Sequence, residues 1–470
     1  MRWVLSLVVA GLAVAGVWVA AGRAVGPEIR IPPTARFVGQ STSIEIAVTA
    51  PGGRLSHLDV TLEQNGRTHP VFALDQEAPG GVSPLRPDGA NRLVVTARVG
   101  KRDILALQPG AARLVVRATR PVLSGFRQAA SQAVAHLDVR LEPPRVEILS
   151  TFHYINQGGA EFVVYRATPS DVESGVRVGD LTYPGSPGAG VGVASAETRV
   201  AFFALLHDQN PNAPMTVYAR DVAGNEAVAT LDRRVFAKPF AHSRIALDDR
   251  FLQRVVPAIA ASTPHMGLSS AAADLLPSFL RINGELRRRN AQTLVDLSKK
   301  TARAMLWHEA FQPLGNAKVE AKFADSRAYV YEGKEVDHQT HLGFDLAVTE
   351  HIPVVAGNHG SVLHAGDLGI YGTCVVIDHG LGVQSLYGHL SSIDVKAGDT
   401  VHKGQALGRS GMTGLAGGDH LHFTMLVAGR PVNPIEWWDP KWMQDRVFRK
   451  IEAAGGRVGG QAQDSRRLSQ

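Results

Sequence analysis

The segment THLGFDLA, residues 340–347, sets His341 and Asp345 four positions apart with Gly343 between them. That spacing puts two side chains on one face of a helix. A central glycine weakens a helix by about 1 kcal/mol, however, and the FDLAV that follows has the character of a strand. A turn at Gly343 would bring His341 and Asp345 together without a helix. Further along, DHLHF at 419–423 reads as a strand in which His420 and His422 leave one face while Leu421 and Phe423 enter the opposite layer. Two histidines on one strand face can reach a single small centre.

The chain has 18 histidines, and ten of them lie between His338 and His422. Two imidazoles and one carboxylate make a sensible three-ligand set for zinc, with water in the fourth position of a catalytic site. His341, Asp345 and one of the two HLH histidines supply such a set, and the other histidine is left for chemistry. Spacing alone does not choose between His420 and His422. His389, beside a glycine in SLYGHL, joins them as a candidate catalytic residue near the metal.

The elements HLGFD and HLH, with YGTCVVIDHGLGVQSLYGHL between them and the glycine-rich VKAGDTVHKGQALGRSGMTGLAGGDHLHF, resemble the lysostaphin-type (LytM-type, peptidase family M23) zinc metalloendopeptidases of bacterial cell-wall metabolism. The resemblance covers about residues 311–437, roughly a quarter of the chain. It implies an antiparallel β peptidase domain with an open groove and one Zn2+ held by His341, Asp345 and His422. It also implies that His389 and His420 act on the attacking water and the carbonyl. Some members of the family have lost metal ligands and activate other wall enzymes, but no motif position is vacant here. The implied activity is hydrolysis of peptide crosslinks in peptidoglycan. The alternatives are a non-catalytic peptidoglycan binder or activator of another wall hydrolase, and a zinc carboxypeptidase or protein peptidase.

Other histidines carry less. His338 is a candidate groove residue, whereas His351, His359, His364, His379 and His402 read as turn or surface-edge residues. Tyr387 and Trp437 read equally well as groove or packing residues, and Arg327 and Tyr331 are similarly ambiguous. The glycines at 411, 414, 417 and 418 fit one wall of a groove that binds an extended peptide. They do not make a phosphate loop, because GRSGMTGLAGG lacks the following Lys-Ser or Lys-Thr.

Outward from this region the chain is expected to be mainly β, with 48 glycines and 26 prolines punctuating short strands. Alternating runs such as TSIEIAVTA, HLDVTLEQNG and ARLVVRATR predict a β-sandwich-like (Ig-like) domain at 28–142, and RVEILSTFHYI through MTVYARDVAGNEAVATLD predict a second at 143–233. A helical connector is expected at 246–309, broken or bent at Pro257, Pro277 and Gly284, with Arg287, Arg288 and Arg289 on a solvated face. The peptidase domain follows at 311–437, and a polar, glycine-rich disordered tail at 454–470.

The first 25 residues read as a signal anchor or signal peptide, because one arginine precedes an uncharged apolar run to Gly22. Export to the periplasm or cell envelope is expected, with residues 4–21 more an inner-membrane anchor than a cleaved leader. The single cysteine, Cys374, excludes an intrachain disulfide and reads as a buried strand residue. A formal charge of +6 without basic–aromatic alternation excludes a nucleic-acid groove and suits an anionic surface. The expected partners are peptidoglycan stem peptides, the inner membrane and a regulatory wall or envelope protein.

Overall fold

The computed structural model describes residues 9, 11–12, 15–19, 23–50, 54–74, 85–89, 91–347 and 349–457. The expected export segment and polar tail lie largely outside them, and among the described residues no helix is long and apolar enough to cross a membrane. The mainly β architecture expected from the alternating runs is what the chain adopts. Two compact units are present, one of Met1–Pro144 with Arg220–Ala227 and one of Arg145–Ala219 with Val228–Gln470.

In the first unit a four-stranded and a five-stranded sheet enclose one core. Strand Ser43–Thr49 shows why: Ile44, Ile46 and Val48 alternate inward to meet Leu58, Val60 and Leu62 of His57–Gln64.

The second unit holds the remaining β-rich region, the helices and the histidine-rich sheet. Apart from residues 143–144 and 220–227, which belong to the first unit, the segments read from sequence as 143–233, 246–309 and 311–437 lie in one compact unit. Aromatic packing joins them. Phe162 lies 4.7 Å from Phe202, which lies 5.7 Å from Trp437, and Trp437 lies 6.0 Å from Trp307. Trp307 also packs 5.8 Å from Phe448. Ring contacts of this kind add about 0.5–1.5 kcal/mol each beyond area burial, so the four stretches contributing them share one core.

The histidine-rich region is built on an eight-stranded sheet. Strands Lys318–Ala321, Phe344–Ala347, Leu421–Val427, Val383–Gly388, Thr373–Gly380, Gly360–Asp367 and Thr400–Val401 lie in that order, and Arg430–Val432 is added to Leu421–Val427. All of the pairs are antiparallel. Cys374 is fully buried in this sheet. Burial pushes its thiol pKa upward, so it stays an unreactive thiol.

Helices Asp249–Ser262, Leu275–Arg281 and Arg287–Ser298 bury Leu252, Val256, Phe279 and Leu294 in a core shared with Ile370, Val376 and Leu386 of the sheet region. The first helix runs through Pro257 to Ser262 rather than ending there. Asp248 caps it, accepting from the Phe251 N–H at 2.7 Å. Gly284 lies in a π-helical turn, Ile282–Leu286, that leads into Arg287–Ser298.

Candidate metal centre

Strand register gathers the site. Phe344–Ala347 and Leu421–Val427 pair so that Asp345 stands directly opposite His422, and Val383–Gly388 on the other side places Gly388 opposite His422. His389 follows at once with φ of +63°, an uncommon conformation for a residue with a side chain. His341 ends strand Lys334–His341, and His420 bridges to Gly411 one residue before its own strand begins. The alternation expected of HLH holds, since Leu421 and Phe423 are buried in the core behind.

Gly343 has a steric reason to be glycine. A Cβ there would lie 2.5 Å from His422 Cε1 and 2.6 Å from both His422 Nε2 and Thr424 Oγ1. The position between His341 and Asp345 is therefore the space that the His422 ring occupies.

His341 Nε2, Asp345 Oδ1 and His422 Nδ1 form a small triangle with sides of 2.9, 3.0 and 3.1 Å. The opposite ring nitrogens fix the tautomers. His341 Nδ1 lies 3.1 Å from the Lys322 carbonyl, to which it can only donate. Thr424 Oγ1 donates to the Leu342 carbonyl at 2.9 Å, so it accepts from His422 Nε2, also at 2.9 Å. Three electron pairs thus converge with no proton between them, an arrangement that calls for a cation. Metal bonds of about 2.0–2.1 Å in a tetrahedral site give ligand–ligand edges of about 3.3 Å, close to this triangle. The residues present fit a metal ion.

His389 and His420 sit beside the triangle. Their Nδ1 atoms donate to the Thr413 and Gly418 carbonyls at 2.7 and 2.8 Å, which leaves each Nε2 for chemistry. His420 Nε2 is 3.4 Å from Asp345 Oδ1, and the His389 and His420 ring centroids are 4.9 Å apart. Arg327, Arg287, Tyr371, Leu415 and Gly417 are among the other residues that line the pocket containing all five.

Electrostatics distinguish the side chains. Burial opposes ionisation of Asp345, yet charge and hydrogen bonding from His341, His420 and His422 hold its carboxyl well below the usual carboxylate range. Burial, with His420 and His422 nearby, keeps His389 well below the usual histidine range. Burial brings His422 down to about 4. Burial also works against a charged His420, but Asp345 outweighs it and raises the pKa.

Several residues stand elsewhere than the sequence alone indicates. His338 contacts Ser326 Oγ at 2.6 Å and does not line the pocket. Tyr387 and Trp437 are buried supports, the Tyr387 hydroxyl accepting from the Gly357 N–H at 2.7 Å. Arg327 grips Asp345 Oδ2 at 3.2 Å and Asp325 Oδ2 at 3.2 Å, so it orients the carboxylate from behind. Arg287 faces the pocket, while Arg288 and Arg289 are exposed as expected. Thr424 gave no sequence signal beyond its place two residues after His422 on the same strand face.

Residues 339–434 match the model of Peptidase family M23. This segment is a peptidase family M23 domain. Over 123 residues the chain is 38% identical to an uncharacterized metalloprotease of Haemophilus influenzae, covering 25% of each chain. It is 42% identical over 96 residues to the peptidoglycan DD-endopeptidase ShyA of Vibrio cholerae, and 40% identical over 95 residues to the DD-carboxypeptidase/endopeptidase Mpg of Neisseria meningitidis. Each of those two matches covers 20% of this chain and 22% of the relative. The matched segment thus spans about a quarter or less of these three relatives.

The M23 domain makes the Thr424 contact testable. Thr424→Val should weaken metal binding by about 10–100-fold, while Thr424→Ser should restore it. Competition against a graded chelator reads the difference. Equal affinity in all three proteins would remove Thr424 from the centre.

Proposed function

We propose that this protein is a zinc-dependent endopeptidase that hydrolyses peptide crosslinks in bacterial peptidoglycan. The observation that carries the reading is the convergence of His341 Nε2, Asp345 Oδ1 and His422 Nδ1 beside two further histidines, each tied by its Nδ1. The name of the Vibrio relative supplies the substrate class, and that of the Neisseria relative also carries an endopeptidase activity. Placement in the periplasm or cell envelope, with residues 4–21 as an inner-membrane anchor, belongs to the same proposal.

His341, Asp345 and His422 would hold the metal. When bound, Zn2+ supplies Lewis acidity toward a carbonyl oxygen and a water molecule at neutral pH. The chain's own residues do the rest. Arg327 and the Lys322 carbonyl fix the directions of Asp345 and His341, and Thr424 fixes the tautomer of His422. His389 and His420 act through Nε2, holding or moving a proton at the edge of the pocket, since each Nδ1 proton is committed to a backbone carbonyl. Arg287 brings positive charge to the pocket wall, suited to carboxylate-bearing stem peptides, while Arg327 is offset by Asp325 and Asp345.

Digestion of purified peptidoglycan, with mass analysis of the products, tests the proposal. New amino and carboxyl ends within crosslinks, absent after chelation and regained with Zn2+, are expected. Release of terminal residues alone would indicate a carboxypeptidase, the other activity in the Neisseria relative's name. No products under any metal condition would leave a binder or activator.

A further inference from the structure

A second group of imidazoles lies outside the residues assigned above. The segment between helix Arg287–Ser298 and the sheet carries His308 and Glu309, and they meet His359 of the sheet region. One ligand atom from each of these three lies within 4.8 Å of the others. His402 adds a fourth, its Nδ1 standing 3.3 Å from His359 Nδ1. The His308 and His359 rings stack at 5.6 Å, and His402 meets His359 edge-on at 5.5 Å.

The backbone beneath is held in place. Asn358, fully buried, donates from Nδ2 to the Glu309 carbonyl at 2.9 Å. The Gln312 N–H donates to the Gly357 carbonyl at 2.8 Å, and Lys403 Nζ donates to the Ala310 carbonyl at 2.8 Å. His379 Nδ1 fixes the His359 carbonyl at 2.6 Å. Lys403 Nζ also lies 3.1 Å from Glu309 Oε2, and a carboxylate has a second oxygen to offer.

We propose that His308, Glu309, His359 and His402 form a second metal site, one that takes Zn2+ or another imidazole-preferring divalent transition ion. His308, Glu309 and His359 supply three ligands within 4.8 Å of one another, and the exposed His402, 3.3 Å from His359 but outside that group of three, would turn in to complete a tetrahedral set without water, the pattern of a structural rather than a catalytic ion. The 3.3 Å separation of the two Nδ1 atoms equals the edge of about 3.3 Å that tetrahedral zinc geometry requires. His308, Glu309 and His402 are exposed, so an ion enters without opening the core. His308 and Glu309 lie outside residues 339–434 and His359 and His402 within them, so the ion would clip the preceding segment onto the M23 domain.

Zinc stoichiometry of the full chain, measured after equilibration and gel filtration, tests this. The wild type should hold two ions. His308→Ala/His402→Ala, which changes only exposed side chains, should hold one and keep peptidoglycan hydrolysis. His422→Ala should also hold one, with hydrolysis lost. One ion in the wild type, unchanged by His308→Ala/His402→Ala and removed by His422→Ala, overturns the second site and leaves the first standing. One ion removed by His308→Ala/His402→Ala but kept by His422→Ala supports the second site and defeats the proposed metal centre. Circular dichroism of each variant separates lost ligands from lost fold.

Discussion

Replacing His422 by alanine should remove metal and peptidoglycan hydrolysis together, whereas replacing His389 should remove hydrolysis and spare the metal. The contrast follows from which atoms converge. His422 Nδ1 lies 3.0 and 3.1 Å from the other two corners of the triangle, and two ligands without the third do not hold a catalytic zinc. His389 is tied to the Thr413 carbonyl and touches the triangle only edge-on, its ring centroid 5.6 Å from that of His422. Its loss leaves all three corners in place and should cost about 10²–10⁴-fold in rate, the usual contribution of a positioned proton carrier. Metal content at the M23 site and turnover on purified peptidoglycan, measured on the same preparations, give the result. Loss of metal in both variants, or retention in both, would contradict the assignment of these two histidines.

How much of this was legible in sequence depends on how local the cause is. The pairs His341/Asp345 and His420/His422 stand out by counting, because period two and a four-residue spacing are short-range facts, but counting does not choose between His420 and His422 as the ligand. The reason for Gly343 is not short-range. It is the ring of His422, brought there by the pairing of Asp345 with His422 across two strands. Arg287 is hidden for a similar reason: three consecutive arginines look alike until the helix is placed against the sheet, when one faces the pocket. His308, His359 and His402 are scattered in the chain, and each alone looks like a surface residue.

The same logic governs the strands. Ser43–Thr49 alternates, because one face meets a core and the other does not. Ala160–Thr168 is buried along most of its length, so its sequence cannot announce what covers it. Its Phe162 packs on Phe202 of the neighbouring strand Thr198–Ala204, and Phe202 in turn meets Trp307 and Trp437 from distant stretches of the chain. The sharing of one core by the second β-rich region and the M23 domain is therefore a tertiary fact, and residue pattern alone divides them.

That shared core contains a buried charge pair whose disruption should cost the most stability. Lys450 Nζ lies 2.8 Å from Glu161 Oε1 and donates to the Phe162 carbonyl at 2.8 Å, with side-chain exposures of 6% and 0% for lysine and glutamate. Glu161 also accepts from the backbone N–H groups of Phe162 at 2.8 Å and Tyr154 at 3.1 Å. Lys450→Met keeps the apolar stem and deletes the cation, leaving a carboxylate in the core, which should destabilise the protein by about 3–5 kcal/mol.

The pH dependence identifies the cause. Burial raises the Glu161 pKa above its ordinary value of 4.5 even with Lys450 opposing. Removing the lysine takes away that opposition and raises the pKa further. A raised carboxyl pKa means that stability is fully present below about pH 4.5 and is lost as pH climbs through the folded-state value. The deficit of Lys450→Met against wild type should therefore shrink in acid and widen toward neutrality. Glu161→Gln/Lys450→Met, which buries no charge, should recover part of the loss and show little of this pH dependence. Urea unfolding of the three proteins across pH measures both effects. A Lys450→Met deficit under about 1 kcal/mol that does not vary with pH would place the pair among ordinary surface-like contacts, which double-mutant cycles value at about that level.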